Sequence, residues 1–211
     1  MKVHEIFHSI QGESTRAGYP CTFVRLSECN LRCGYCDTTY AFHDGREMTQ
    51  EAVMQEVLRF GCRFVTITGG EPLLQDEVHP LIARLLDEGF DVQIETSGAI
   101  DITPVDRRAR VILDVKTPGS GMTDRMDWGN IPKLRAGDEV KFVLTDREDY
   151  VWARETIRRL KFPPAVPLLL SPAHGVLEPR DLAEWMKQDH LEARLHLQIH
   201  KYIWGADRRG V

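Results

Sequence analysis

Three cysteines close together constrain this chain more than any other feature. Cys29, Cys33 and Cys36 lie in the run CNLRCGYC, with the spacing CxxxCxxC. Three thiolates on one tight loop can hold three irons of a cubic 4Fe-4S cluster, and the fourth iron, without a protein ligand, stays open to a small molecule. The spacing therefore predicts a redox cluster with one open coordination position.

A structural zinc site is the alternative, because His43 is near enough in sequence to be a fourth ligand. A second segment argues against zinc. The strand-like run from Arg63 ends in Gly69-Gly70-Glu71-Pro72, one predicted helix after the cysteines. Both segments, in this order, resemble the radical S-adenosylmethionine (SAM) enzymes. In that superfamily the open iron chelates the methionine end of SAM, and the GGEP segment engages its amino group.

Composition limits the remaining possibilities. A chain of 211 residues, 42% hydrophobic and 28% charged, fits a single globular domain. A net charge of −5 gives no bulk reason to bind nucleic acid. No run is long and apolar enough for a membrane span, and the N-terminus has no signal-peptide block. We therefore expect a cytoplasmic protein with no nucleic-acid or membrane partner.

The five cysteines are an odd number, with three on one loop, and do not indicate a disulfide framework. Thiolates that ligate iron also need a reducing compartment. We expect Cys21 and Cys62 to be free, buried and apolar in character.

Strand and helix patterns alternate along the chain. Strands are predicted at 22–26, 64–68, 91–96, 111–116, 139–144, 166–170 and 194–200. Helices are predicted around Val53–Leu58 and Val78–Leu86, each followed by a glycine, and at 148–160 and 179–188. The Gly- and Pro-rich stretch 117–137 is predicted to be an irregular excursion.

Period-two alternation places polar side chains together on one face of several strands. The sets are Thr66 and Thr68; Gln93 and Glu95; Asp114 and Lys116; and His196, Gln198 and His200. Helices should cover the other, apolar face of the sheet. A polar face repeated on several strands then predicts a polar interior that binds a ligand near the C-terminal strand ends.

The alternating pattern indicates an α/β fold with a mostly parallel sheet. Pattern alone leaves open a doubly wound sheet or a curled, incomplete barrel. The radical SAM resemblance favours a partial (β/α) barrel, formed by a single domain over 1–211 with the cluster loop at 29–36.

Further segments narrow the resemblance. These are EIFHSIQGE at 5–13, FVRLSECNL at 23–31, CDT at 36–38, TGGEP at 68–72, ETSG at 95–98 and QIHKYIW at 198–204. Together they resemble the 7-carboxy-7-deazaguanine synthase family over nearly the whole chain. The resemblance implies a radical SAM lyase of queuosine and 7-deazapurine biosynthesis. Such an enzyme converts 6-carboxy-5,6,7,8-tetrahydropterin into 7-carboxy-7-deazaguanine with loss of ammonia, using SAM, a 4Fe-4S cluster and Mg²⁺.

The same resemblance implies roles for residues. Cys29, Cys33 and Cys36 ligate the cluster, and Thr38 contributes to the Mg²⁺ site. The residues implied for SAM are Tyr35, Cys36, Asp37, Gly70, Glu71, Asp114, Val115, Lys116, Ser171, Pro172, Ala173 and His174. Those implied for the substrate are Ile10, Gln11, Gly12, Glu13, Arg25, Thr68 and His200. No side chain is expected to be catalytic, because the radical comes from the cofactor. Asp114 stands where the family often has serine, and the tail beyond Trp204 has no assigned role.

The resemblance also implies a homodimer and an electron donor such as a flavodoxin or ferredoxin. Two other functions remain open from the residues. One is a small radical SAM activase that installs a glycyl radical in a partner protein. The other is a non-catalytic iron-sulfur or zinc protein, although neither Cys21 nor Cys62 has a convincing fourth-ligand spacing.

Overall fold

A computed structural model describes all residues, 1–211, and contains one nine-stranded sheet. The strand order is β3-β1-β2-β4-β5-β6-β7-β8-β9. β1 is antiparallel to its neighbours β2 and β3, and every later pair is parallel. The strands are β1 Lys2–Ile10, β2 Pro20–Leu26, β3 Arg46–Glu47, β4 Phe64–Gly69, β5 Asp91–Thr96, β6 Arg110–Val115, β7 Glu139–Leu144, β8 Leu168–Pro172 and β9 Arg194–Leu195.

Five α-helices accompany the sheet: α1 Gln50–Arg59, α2 Val78–Asp87, α3 Arg147–Arg159, α4 Pro179–Gln188 and α5 Ile199–Trp204. α1 begins at Thr49, whose side chain accepts a hydrogen bond from the Ala52 amide, a standard N-cap. The predicted stops after α1 and α2 are confirmed, since Gly61 and Gly89 adopt the left-handed backbone with φ of 64° and 80°. No helix is both long and apolar enough to cross a membrane.

The winding of the sheet explains why it has one covered and one open face. From β5 to β9 each strand lies beside the strand that precedes it in sequence. Right-handed crossovers that always advance in one direction place their helices on the same side of the sheet. Because β3 and β9 are both edges, the sheet is not closed. The predicted partial barrel with a mostly parallel sheet is confirmed.

The two faces differ in chemistry as the alternation predicted. Side chains such as Ile67, Ile94 and Leu113 are fully buried in one continuous apolar core under the helices. On the opposite face, Thr66 and Gln93 are equally buried but hydrogen bonded to polar partners. The polar interior predicted from period-two spacing is therefore present.

The loop between β1 and β2 covers the N-terminal ends of the parallel strands. The Ser14 hydroxyl donates to Gln93 at 3.2 Å, and the Thr15 amide donates to Glu139 at 2.9 Å. The Arg16 guanidinium pairs with Asp91 at 2.6 Å. Because Glu139 and Asp91 begin their strands, this loop leaves the C-terminal strand ends as the accessible side of the interior.

The prediction of a strand over 194–200 is wrong. Only Arg194 and Leu195 pair with β8, and α5 begins at Ile199. At this edge no further strand holds the chain, and the Ile199 amide instead donates to the Gly12 carbonyl at 3.0 Å. Consequently His196 and His200 do not share a strand face, although both lie near the interior.

Smaller differences concern the other boundaries. β1 and β3 were not predicted, and β8 begins at Leu168 rather than at 166. The stretch 117–137 is irregular as predicted, with short 3-10 turns at Pro118–Ser120, Thr123–Arg125 and Trp128–Lys133.

Candidate active site

The loop that carries the three cysteines, residues 29–36 and called the cysteine loop below, lies above the C-terminal ends of β2 and β4. Cys29, Cys33 and Cys36 are all free and partly buried. Burial raises the pKa of each thiol, and the nearby Lys116 ammonium opposes that rise in all three. A cation facing three thiols suits an anionic iron-thiolate cluster, whose ligands must be deprotonated. These residues fit the predicted 4Fe-4S cluster.

The zinc alternative receives no support from the geometry. His43, the fourth ligand in that alternative, is exposed. Cys21 is buried as predicted, whereas Cys62 is only partly buried.

The turn at Gly69 and Gly70 holds the cysteine loop by close backbone contact. The Glu71 amide donates to the Glu28 carbonyl at 2.8 Å. A Cβ on Gly70 would lie 2.0 Å from that carbonyl oxygen and 2.7 Å from Cβ of Cys29. Only glycine allows this approach, so the two motifs found in the sequence form one structural unit.

The Glu71 carboxylate is buried and bonded to its own chain. It accepts hydrogen bonds from the Leu73 amide at 3.0 Å, the Ser97 amide at 2.7 Å and the Thr96 hydroxyl at 2.9 Å. The Ser97 hydroxyl donates to it as well. These donors occupy the two oxygens, so a contact of this segment with SAM would come from its backbone.

Lys116 and Asp114 lie between the cysteine loop and the interior. The Lys116 ammonium is 3.1 Å from Oδ2 of Asp114 and 6.0 Å from the centre of the Tyr35 ring. Burial lowers the pKa of Lys116, but Asp114, Tyr35 and Cys33 outweigh it and hold the pKa above its usual range. Oδ1 of Asp114 and the Tyr35 hydroxyl are buried without a protein partner. Both are available to a ligand such as the predicted SAM.

Polar side chains of β4 and β5 form the floor of the interior with Gln11. The Gln11 amide donates to the Thr66 hydroxyl at 2.8 Å and to Glu95 at 3.4 Å. The Thr68 hydroxyl donates to the other oxygen of Glu95 at 3.0 Å. Burial, and then the negative charge of Glu13, raise the pKa of Glu95. Glu95 therefore protonates more easily than an ordinary glutamate.

Glu13 and Lys141 form a buried ion pair across the interior. The Lys141 ammonium is 2.6 Å from Oε2 of Glu13 and 3.4 Å from Asp114. Burial alone would raise the pKa of Glu13, but the charge and hydrogen bond of Lys141 hold it well below its usual range. Lys141 thus joins a predicted substrate residue to a predicted SAM residue.

Arg25 lies on β2 beside Thr68 of β4. Its Nε donates to Glu5 at 2.8 Å, and its guanidinium lies 5.8 Å from the centre of the Phe7 ring. The Tyr40 hydroxyl donates to the same Glu5 oxygen at 3.3 Å. Only Nε is bonded in this pair, which leaves the terminal nitrogens for an anion.

Helix α5 packs over the loop after β1. A Cβ on Gly12 would lie 1.9 Å from Nδ1 of His200, so glycine is required for the imidazole to approach this loop so closely. The Gln198 amide donates to Glu13 at 2.7 Å, and the Lys201 ammonium donates to Asp37 at 2.5 Å. Helix α5 thereby connects the predicted substrate residues to the cysteine loop.

Thr38 follows Asp37 at the end of this connection. Its hydroxyl donates to Oδ1 of Asp37 at 2.8 Å. Burial raises the pKa of Asp37, but the charge and hydrogen bond of Lys201 lower it by more. The net shift of the Asp37 pKa is therefore downward. Thr38 and an ionised carboxylate are therefore neighbours at the mouth of the interior.

Some predicted site residues lie at the periphery. Ile10 is the last residue of β1 and is only partly buried. The Val115 side chain is buried in the apolar core, so only its backbone is near the interior. The segment Ser171–His174 ends β8, and the His174 ring packs edge-on against Tyr202 of α5 at 5.8 Å.

Four residues of the interior are not among the predicted site residues: Lys141, Glu95, Gln198 and His196. Lys141 had a usable signal, because it stands between the apolar Val140 and Phe142 in the predicted strand 139–144. The other three stood in the polar patterns that predicted the interior.

The profile of the Radical SAM superfamily matches residues 24–120, which include the cysteine loop and the Gly70 turn. The 7-carboxy-7-deazaguanine synthase of Chlorobaculum tepidum is 44% identical over 214 aligned residues, covering 100% of this chain and 97% of that protein. The synthase of Koribacter versatilis is 42% identical, covering 100% of both chains. The chain belongs to the 7-carboxy-7-deazaguanine synthase family.

A solved structure supports the fold of this family member. QueE from Escherichia coli aligns with a TM-score of 0.77 at 24% identity, covering 93% of this chain and 92% of that one. The family match extends over the whole length, beyond the cysteine loop alone. The family assignment is therefore preferred to the two alternatives, a glycyl-radical activase and a non-catalytic iron-sulfur or zinc protein.

Proposed function

We propose that this chain converts 6-carboxy-5,6,7,8-tetrahydropterin into 7-carboxy-7-deazaguanine with loss of ammonia, as a radical SAM lyase of 7-deazapurine biosynthesis. The relatives that it matches over its full length carry the name of this synthase. The observation that carries the proposal is the joining of the cysteine loop, through Lys116, Asp114 and Lys141, to Glu13 in a buried polar interior.

Radical SAM chemistry needs a cluster and SAM, and the residues present suit both. Cys29, Cys33 and Cys36 would hold three irons of a 4Fe-4S cluster, with the Gly70 turn and Asp114 beside the SAM position. When bound, the pair supplies reductive cleavage of SAM, which initiates hydrogen abstraction from the substrate. The task of the protein side chains is to hold the substrate carbon close and to exclude other hydrogen donors.

The interior offers groups that match a carboxylated pterin. Arg25 has free guanidinium nitrogens for the substrate carboxylate, because Glu5 engages only its Nε. Gln11 and Glu13 present an amide and a carboxylate to the aminopyrimidinone edge, which has both donors and acceptors. Thr68 lies beside Arg25 in the sheet, and His200 lies against Gly12. Lys141 sets the orientation of Glu13 through their ion pair.

We also propose a Mg²⁺ site at Thr38. A hydroxyl is a weak ligand alone, so the substrate carboxylate and water would complete the oxygen shell. The ion would screen the substrate charge and fix its orientation. The adjacent Asp37 carboxylate, held ionised by Lys201, supplies further negative charge for a hard cation.

The remaining proposals concern the molecule as a whole. We propose a single domain over 1–211, a homodimer, a flavodoxin or ferredoxin as electron donor, and a cytoplasmic location. One apolar core that includes residues from Val3 to Met186 supports the single domain. The need of iron-bound thiolates for a reducing compartment supports the location.

Anaerobic reconstitution with iron, sulfide, SAM, dithionite and the carboxylated tetrahydropterin tests the function. We expect a product with the mass of 7-carboxy-7-deazaguanine and one equivalent of ammonia. SAM cleavage without either product would refute the proposed substrate.

Cysteine variants test the cluster ligands in the same preparation. Cys36→Ala should lose the brown chromophore and most bound iron, because two thiolates remain on the loop. Cys62→Ala is the matched control and should keep both. Equal iron in the two variants would contradict the ligand assignment.

A further inference from the structure

His196 is a buried histidine whose ring has no protein partner. It follows β9 directly, and its backbone amide donates to the Leu170 carbonyl of β8 at 2.9 Å. Its residue exposure is 5%, and neither Nδ1 nor Nε2 makes a hydrogen bond to the protein. Burying a polar ring without partners costs free energy, and native structures rarely retain such a group without a use for it. The ring therefore has two unused hydrogen-bonding positions in the interior.

The groups near His196 place it on the substrate side of the site. The charges that act on its ring are those of Glu13, Lys141, Arg194 and His200. Glu13 and His200 are both residues proposed above to bind the substrate. The chain directly after His196 also contacts the loop after β1, because the Gln198 amide donates to Glu13 at 2.7 Å and the Ile199 amide donates to the Gly12 carbonyl at 3.0 Å. A ligand beside His196 is thus the pterin rather than the methionine end of SAM.

The protonation state of the ring determines what it can bind. Burial lowers the pKa of His196 to about 4, with Lys141, Arg194 and His200 acting in the same direction and Glu13 opposing them. At neutral pH the imidazole is uncharged, with one donor nitrogen and one acceptor nitrogen. Such a ring does not compete with Arg25 for a carboxylate. It suits the carbonyl, ring-nitrogen and N–H groups of a heterocycle.

We propose that His196 is a substrate-binding residue, which hydrogen bonds the heterocyclic ring of the substrate through an imidazole nitrogen. This inference rests on the proposed function. It adds a contact from the strand-end segment after β9 to those from the β1 loop, β2, β4 and α5. The neutral imidazole would orient the heterocycle, while Arg25 and the proposed Mg²⁺ would hold the substrate carboxylate.

The test replaces the polar ring by an apolar one of similar size. His196→Phe should weaken pterin binding, measured anaerobically on reconstituted protein, by about tenfold or more, which corresponds to about 1.4 kcal/mol. SAM binding and iron content should stay at wild-type levels. The melting temperature of the variant should equal or exceed that of wild type, because the change removes an unsatisfied buried polar group. A purely structural histidine would show the reverse, lower stability with unchanged pterin affinity.

Two further variants complete the design. His196→Asn keeps one donor and one acceptor and should recover part of the lost affinity. His79→Phe is the matched control: its Nδ1 is also buried without a partner, but it lies on the outer helix α2. This control should leave pterin affinity unchanged.

The outcomes separate the inference from the function. If wild type binds and converts the pterin while His196→Phe binds it equally well, the inference is wrong and the function stands. If wild type neither binds nor converts it, the proposed function itself fails. Loss of SAM binding in His196→Phe, or failure of both His196 variants to fold, would also overturn the inference.

Discussion

At the scale of single residues, Glu71 shows how a motif position can have a structural task. Its carboxylate joins the turn after β4 to Thr96 and Ser97 at the end of β5. These hydrogen bonds position the carbonyl and amide groups of the turn under the cysteine loop. The acid of the GGEP segment is therefore needed before any ligand binds.

Glu71→Gln tests this structural task. An amide nitrogen would face the Ser97 or Leu73 amide, and one buried donor would lose its acceptor. We expect the free energy of unfolding to fall by about 1–3 kcal/mol, measured by urea denaturation of the chain without cluster. Glu77→Gln, at an exposed position, is the control and should unfold like wild type. Equal stability of all three proteins would contradict the structural assignment.

Thr38→Val tests the proposed magnesium contact at the same scale. Valine keeps the volume and β-branching of threonine but removes the hydroxyl. If that oxygen binds Mg²⁺, stimulation of activity by Mg²⁺ should fall several-fold with iron content unchanged. An unchanged magnesium response with reduced iron would show instead that Thr38 only stabilises the cysteine loop. A titration of activity against Mg²⁺, normalised to iron, distinguishes the two results.

At the scale of elements, the cysteine loop depends on the turn that follows β4. The loop has few regular backbone bonds of its own, such as Cys36 to Cys33 at 3.2 Å. It takes its position from the Glu71 amide and from the close approach of Gly70. The spacing of the cysteines alone therefore does not place the three thiols.

Gly70→Ala should disrupt that position. The added Cβ would overlap the Glu28 carbonyl and Cys29, so the loop must move and iron content after reconstitution should fall substantially. Gly34→Ala is the control within the loop, where a Cβ would have its nearest contact at 3.6 Å, an ordinary distance. Iron content should be retained in that variant. Full iron in Gly70→Ala would disprove the contact.

At the scale of the whole molecule, the buried interior makes stability depend on pH. The folded state holds His196 neutral down to a pKa of about 4, whereas the unfolded chain binds a proton at its ordinary value of 6.5. The unfolded state therefore binds more protons as the pH falls from 6.5 towards 4, and stability falls with it. Burial likewise lowers the pKa of His200, which acts in the same direction.

His196→Phe should flatten this dependence. Removing one such histidine should reduce the loss of unfolding free energy between pH 7 and pH 5 by about 2 kcal/mol. Urea denaturation at the two pH values measures the difference, with His79→Phe as the control. The same loss in His196→Phe and in wild type would show that the ring titrates normally in the folded chain.

The sequence by itself determined most of the strands and helices and the chemistry expected of the cysteine loop. Short-range alternation located β5 and β7 at their observed bounds and α4 as well, because the period of apolar residues follows from local backbone geometry. The cysteine spacing and the Gly70 segment also predicted the superfamily. The same alternation showed that one face of the sheet is polar.

Only the tertiary structure decided which polar groups meet. Lys141 and Glu13 are far apart in sequence, and their ion pair depends on the loop after β1 entering the interior. The end of β9 was also decided by contacts, since at the sheet edge the chain pairs with the Gly12 carbonyl and begins α5 instead of continuing as a strand. Local propensity extends a strand where residues alternate, but hydrogen bonds to distant partners determine where it stops.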